Sequence, residues 1–170
     1  MSEEVVSSIF VMGGGVSKRS LKAQDMPGLA HSYDPILDIY PRWEAGTFTI
    51  SFDIMAQAGA DWFFEMRVKG GEFAAGPYVR WQNGKLIANN SASLPLAEIP
   101  AGEWIRLTIR ATTGSGSYYV TVQKEDGTVS EFPKVSCKES WNAANYFLFS
   151  GLGTTKTAFF IDNVRLVKED

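Results

Sequence analysis

Thr47-Phe48-Thr49-Ile50-Ser51-Phe52-Asp53-Ile54-Met55 decides the fold. Phe48, Ile50, Phe52 and Ile54 occupy alternate positions, with Thr47, Thr49, Ser51 and Asp53 between them. Successive side chains of an extended chain leave on opposite faces, so this period of two predicts a strand with one dry and one wet flank. The frame recurs at 103–110, where Ile105, Leu107 and Ile109 alternate with Trp104, Arg106, Thr108 and Arg110. It recurs again at 118–123, where Tyr118, Val120 and Val122 alternate with Tyr119, Thr121 and Gln123. Further strands are expected at 61–68, 77–82, 85–89, 146–150 and 158–167, with weaker ones at 6–12 and 19–24.

Working outward, the connections carry turn chemistry. Asn83-Gly84 separates 78–82 from 85–88, the pattern of a two-residue hairpin whose central residues both need positive φ. Asp126-Gly127 repeats the signal between 118–124 and 128–132. Pro95 and Pro100 exclude a regular helix from 95–103, and 138–145 is expected to form one short helical turn. The stretch 33–43, dense in rings and containing Pro35 and Pro41, reads as a long loop. In it Trp43 is expected to plug an open end of the fold, while Tyr33 and Tyr40 suit either a plug or a ligand cleft. Many short strands without a sustained helical period predict an all-β, two-sheet antiparallel β-sandwich, as a single domain over 1–170.

Composition bounds the function. A chain of 170 residues and 18.7 kDa, 45% of it apolar, hides roughly 70% of its extended surface and needs no staple. A net charge of −3 with no basic block excludes a polyanion-wrapping role, so no nucleic-acid partner is expected. The longest apolar run is too short to span a bilayer as a helix, and no membrane partner is expected. Met1-Ser2-Glu3-Glu4 is acidic where a signal peptide carries a basic start. Cys137 is the sole cysteine and reads as a free thiol. The Gly13-Gly14-Gly15 run lacks phosphate-loop spacing and reads as a turn.

The order Ser20-Leu21-Lys22 and Asp25, Gly46 through Ile54, Gly76-Pro77, Asn83-Gly84-Lys85-Leu86, Gly102-Glu103-Trp104-Ile105 and Phe159-Phe160-Ile161-Asp162-Asn163-Val164-Arg165-Leu166 resembles a concanavalin A-like jelly roll. The chain is similar to the laminin-G-like and carbohydrate-binding modules of bacterial polysaccharide-degrading systems, over nearly its whole length. The resemblance implies two packed antiparallel sheets, one presenting a concave outer face to glycans. It also implies a secreted or cell-surface setting and other domains of a larger secreted protein as partners.

If the apolar frames point inward, the outward set contains Asp53, Glu65, Arg67, Tyr78, Arg80, Trp104, Arg106 and Tyr119, with Phe63 beside them. Ring faces stack on sugar C–H surfaces while charged planar groups take hydroxyls, so this inventory suits a poly- or oligosaccharide. The frame of 61–68 depends on which way the consecutive Trp62, Phe63 and Phe64 divide. The expected function is a non-catalytic carbohydrate-binding or accessory module. A hydrolase or lyase of unrecognised type is the first alternative. Glycoside hydrolysis needs two carboxyl groups facing one cleft, and Asp53 with Glu65 are the pair on offer. The Glu-x-Asp-x-x-Glu signature of jelly-roll glucanases is absent, and His31, the only histidine, lies in a loop-like stretch that suits packing. A structural sandwich packing against a partner domain is the second alternative. No cofactor is required. The resemblance adds a structural calcium joining the first and last strands, with either Asp25 or Asp162 as a contributing ligand.

Overall fold

The computed structural model describes residues 8–12, 19–68, 74–89, 91 and 94–169. Among them there is no helix, and thirteen strands form two antiparallel sheets. The seven-stranded sheet runs β1 (Ser8–Met12), β2 (Ser20–Asp25), β13 (Thr157–Glu169), β4 (Thr47–Ala56), β9 (Ile105–Thr112), β10 (Ser117–Lys124) and β11 (Val129–Ser136). The six-stranded sheet runs β3 (Ile36–Ile39), β12 (Tyr146–Gly151), β5 (Asp61–Arg67), β6 (Ala75–Gln82), β7 (Lys85–Ala88) and β8 (Pro95–Glu98). Sequence neighbours β5 to β8 pair directly, whereas β4 sits between β9 and β13, far apart in the chain. The expected turn at Gly13–Gly15 lies outside the described residues.

The alternating frames all face inward. Phe48, Ile50, Phe52 and Ile54 of β4 meet Trp62, Phe64 and Met66 of β5 and Phe147 and Phe149 of β12 in one core. Phe52 sits 5.2 Å from Phe64 and edge-on to Phe149 at 4.8 Å, the offset and T-shaped geometries that ring quadrupoles favour. Tyr118 crosses the core and donates its hydroxyl to the Tyr78 carbonyl at 2.7 Å, tying β10 to β6. Trp43 stacks on Phe48 at 5.1 Å and meets Phe147 edge-on, plugging the core as the sequence predicts.

The last strand explains the Ile-Asp-Asn-Val pattern. Asp162 pairs with Asp53 and Arg165 with Ser51, so β13 spends three residues where β4 spends two. This bulge resets the alternation, so that Leu166 packs on the same core as Ile161. Asn163 takes a φ of 51° there and donates from Nδ2 to Asp53 Oδ2 at 2.5 Å.

Four local expectations are corrected or refined. The 33–43 loop contains β3, an edge strand between two prolines, which only an edge tolerates. The 95–103 segment opens with β8. The 138–145 segment forms no helical turn; it crosses β6 as an irregular strap, with Lys138 N–H donating to Gly76 O and Glu139 N–H to Ala75 O, both at 2.9 Å. Asn83 and Gly84 do take positive φ (51° and 79°), but the second hairpin turns at Glu125-Asp126 and only Gly127 is left-handed (85°). Gly127 N–H donates to Lys124 O and Lys124 N–H to Thr128 O, the longer hairpin connection built around a type I turn.

Candidate functional site

Both flanks of β5 are buried up to Met66, which is why Trp62, Phe63 and Phe64 can follow one another, whereas the outlying strands β3 and β8 of the same sheet are half-buried or exposed over most of their length. Trp62, Phe64 and Met66 enter the core; Phe63, Glu65 and Arg67 leave on the outer face. A second apolar cluster lies there, made of Phe63, Tyr78, Tyr146 and Leu148 with Ile36 and Leu152 against it. In register, Asp38, Leu148, Glu65 and Tyr78 form one row across the strands, and Ile36, Ser150, Phe63, Arg80 and Ile87 form the next.

Polar groups are set into this surface in pairs. Asp61 accepts from Arg80 Nε at 2.7 Å, from Arg80 Nη2 at 2.5 Å and from Gln82 Nε2 at 2.7 Å. Glu65, with 4% of its side chain exposed, meets Arg67 Nη1 at 2.7 Å. Burial pushes the Glu65 carboxyl above its ordinary value, against the pull of the Arg67 and Lys138 charges, and neighbouring Glu139 adds to the rise. Phe63 stacks on Tyr78 at 5.2 Å, and the Lys138 ammonium from the 138–145 strap sits 4.7 Å above the Tyr78 ring. Glu139 is held by accepting from the Ala75 amide at 2.8 Å.

The β3 rim is the open part. Tyr40, 45% exposed, stacks on Tyr146 at 5.1 Å, and both phenols donate to the Asp38 carboxylate, at 3.0 and 2.8 Å. Arg67 lies 5.9 Å from the Tyr146 ring centre. Burial first, then the Asp38 carboxylate, raises the Tyr146 phenol. A hollow of about 270 Å³ adjoins this rim, lined by Tyr40, Arg42, Trp43, Glu44 and Asn145.

The eight expected ligand residues divide between two sheets. Glu65, Arg67, Tyr78 and Arg80 share the face just described. Asp53, Arg106 and Tyr119 leave the outer side of the seven-stranded sheet, and Trp104 precedes β9 at its end. Asp53 and Glu65 therefore point away from each other across a two-layer sandwich and form no acid pair, because β4 and β5 belong to different layers. Asp53 is instead sealed under Arg106, which grips it through Nε at 2.7 Å and Nη2 at 2.9 Å. Asp53, Trp104, Arg106, Gln123, Lys124 and Glu125 line a hollow of about 390 Å³ on that side. His31 packs in its loop, stacked on Tyr33 at 4.9 Å with its amide donating to Asp34.

The two carboxylates named for calcium lie at separate places on the seven-stranded sheet. Asp25 pairs with Thr157 and Asp162 lies five residues further along β13, about 16 Å at strand rise. Asp162 accepts from the Asn163 amide at 2.7 Å within the bulge. Among the described residues no three His, Cys, Asp or Glu side chains gather as a group that could hold an ion.

Asp25 is nonetheless unusual. It is wholly buried between β2 and the end of β12, and neither carboxylate oxygen has a hydrogen-bond partner of good geometry. A Cβ at Gly151 would lie 2.6 Å from Oδ1, and one at Gly153 2.8 Å from Oδ2. Burial pushes its pKa up to about 7, opposed by the Gly153 amide and aided by Asp61. The folded protein therefore holds this proton more tightly than the unfolded chain. The stability it contributes is complete below the ordinary value of 3.8 and is lost as pH rises through about 7, and buried Glu65 acts in the same direction. Asp25→Asn is expected to flatten the fall of Tm across this window in thermal melts. An unchanged slope in the variant would contradict the assignment.

No family model matches the chain, and no curated protein matches it. Solved structures do, at low identity. A sialidase superposes with a TM-score of 0.65 and 13% identity over 91% of this chain, which spans 16% of the sialidase's length. The catalytic domain of a glycoside hydrolase family 131 protein from Coprinopsis cinerea gives 0.62 and 8% over 90% of this chain and 71% of its own. An alginate lyase of polysaccharide lyase family 7 gives 0.57 and 13% over 99% of this chain and 86% of its own. Together with the two antiparallel sheets, these likenesses identify the architecture: the chain is an all-β jelly roll of the concanavalin A-like type.

Proposed function

We propose that the chain is a carbohydrate-binding module that takes a poly- or oligosaccharide on the outer face of its six-stranded sheet, entering over the β3 rim. The observation that carries this is the Tyr40–Asp38–Tyr146 arrangement. It offers an exposed ring for a sugar's C–H face beside a carboxylate held in place by two phenols. Glu65, Arg67, Tyr78 and Arg80 form the floor behind it, and Lys138 and Glu139 the wall. Support also comes from the jelly-roll neighbours, whose names are those of a sialidase, a glycoside hydrolase and an alginate lyase. A non-catalytic role is favoured because the carboxylates of the face are engaged: Asp61 by three donors, Asp38 by two phenols, Glu65 by Arg67.

The partner-packing alternative calls for one flat apolar patch. The large exposed apolar side chains among the described residues are Tyr33, Tyr40, Leu94, Val129 and Val164, scattered over loops, an edge strand and the β13 bulge. A secreted or cell-surface setting belongs to the same proposal and rests on the family resemblance.

Affinity electrophoresis through gels containing polysaccharide tests the reading. The protein is expected to be retarded, and Tyr40→Ala to weaken retention about fivefold, since ring stacking with one hydrogen-bonding tip contributes on the order of 1 kcal/mol. Retention unchanged by Tyr40→Ala would remove the rim from the site.

A further inference from the structure

We infer that the saccharide is neutral, and that polyuronates and sialylated glycans are poor ligands. This rests on the reading above and narrows its ligand class. Recognition of a sugar carboxylate calls for a guanidinium fork or an unopposed ammonium directed at the ligand. On this face Arg80 is forked onto Asp61 through Nε and Nη2, and Arg67 meets the buried Glu65 at 2.7 Å. A uronate that captured Arg67 would strand the Glu65 carboxylate, of which 4% is exposed, without its counter-charge. Such an exchange is strongly unfavourable.

Two further cations stand among the described residues of this face: Lys85, at the β7 end and directly opposite Glu98 in the β7–β8 register, and Lys138 of the wall. Lys138 stands over the Tyr78 ring, and Glu65 and Glu139 both act at the same spot, so its charge is opposed before any ligand arrives. At the rim, an approaching anion meets the exposed Asp38 carboxylate first; Arg42 and Glu44 of the adjoining hollow offset each other. The described charges of the face therefore number four cations, Arg67, Arg80, Lys85 and Lys138, against five carboxylates, Asp38, Asp61, Glu65, Glu98 and Glu139. No positive field steers a polyanion to this surface.

A neutral sugar meets a better match. Its hydroxyls both donate and accept, and its C–H faces stack on rings. Asp38 and Glu139 present acceptors, Lys138 presents donors, and Tyr40 presents a ring.

The test compares retention of the whole chain in gels containing neutral polymers (mixed-linkage glucan, laminarin, galactomannan, xylan) with gels containing alginate or polygalacturonate, each at low and high salt. Retention by at least one neutral polymer is expected, changing by less than about twofold with salt because no net ion pairing is involved, with none by the anionic polymers. Retention by alginate or polygalacturonate that high salt abolishes would overturn the neutral assignment and leave the carbohydrate-binding reading standing. Retention by neither class would overturn both.

Discussion

Replacing Gly76 with alanine is expected to lower the unfolding free energy by about 3 kcal/mol, the upper end of what overpacking a close-packed interior does. A Cβ at this position would lie 2.4 Å from Trp141 Cδ2 and 2.5 Å from Cγ and Cε2, all atoms of a rigid ring. The ring has little room to retreat. Trp141 is buried in the core, its carbonyl accepts from the Gly114 amide at 2.9 Å, and the strap leading to it is bonded to β6 through Lys138 and Glu139. The same contact seats the wall of the candidate site, so the strain should also disturb Lys138 and Glu139. Urea denaturation checks the magnitude. In the Gly76→Ala, Trp141→Ala double variant the two losses should fall short of additive, because the clash disappears with the ring. A single Gly76→Ala variant within about 0.5 kcal/mol of the parent would show that the strap is not packed this way.

Arg106→Ala is expected to be nearly as damaging, at about 3 kcal/mol, and clearly worse than Asp53→Asn. The two partners are unequally buried. The Arg106 side chain is 48% exposed and regains water when its partner is neutralised, whereas Asp53 has 2% of its side chain exposed and would keep only the Asn163 amide. An order reversed in chemical denaturation, with Asp53→Asn the more harmful, would contradict this account of the pair. The asymmetry explains why Asp53, chemically suited to ligand binding or acid catalysis, serves here as the anchor of the β4–β9–β13 junction.

The layers of this fold are legible where one flank of a strand is greasy and the other wet, as in β4, β9 and β10, whose inward residues the alternation names without error. Legibility fails where both flanks are buried or the element is too short for a period. Ile36-Leu37-Asp38-Ile39 has four residues and two prolines near it, so the edge strand that carries the rim is hidden in what reads as a loop. The candidate site suffers most because alternation says which side chains leave a sheet but not which sheet a strand joins. Asp53 and Glu65 obey the same rule on opposite layers, and only the long-range pairing of β4 with β9 and β13, against β5 with β6 and β12, separates them. Lys138 and Glu139 reach the site through a strap with no periodicity at all. Tyr146 and Asp38, absent from the expected ligand set, are joined across 108 positions by a hydrogen bond that no local pattern announces. The Asn83-Gly84 hairpin, by contrast, is fully local, and both its residues take the positive φ their chemistry predicts.

The most direct test of the central claim is to map amide and aromatic NMR shifts while titrating the protein with a neutral oligosaccharide from a polymer that retards it. Perturbations are expected to concentrate on Asp38, Tyr40, Tyr78, Lys138 and Tyr146, on one side of the molecule. Perturbations centred on Trp104, Arg106 and Gln123, around the hollow on the opposite sheet, would contradict that claim.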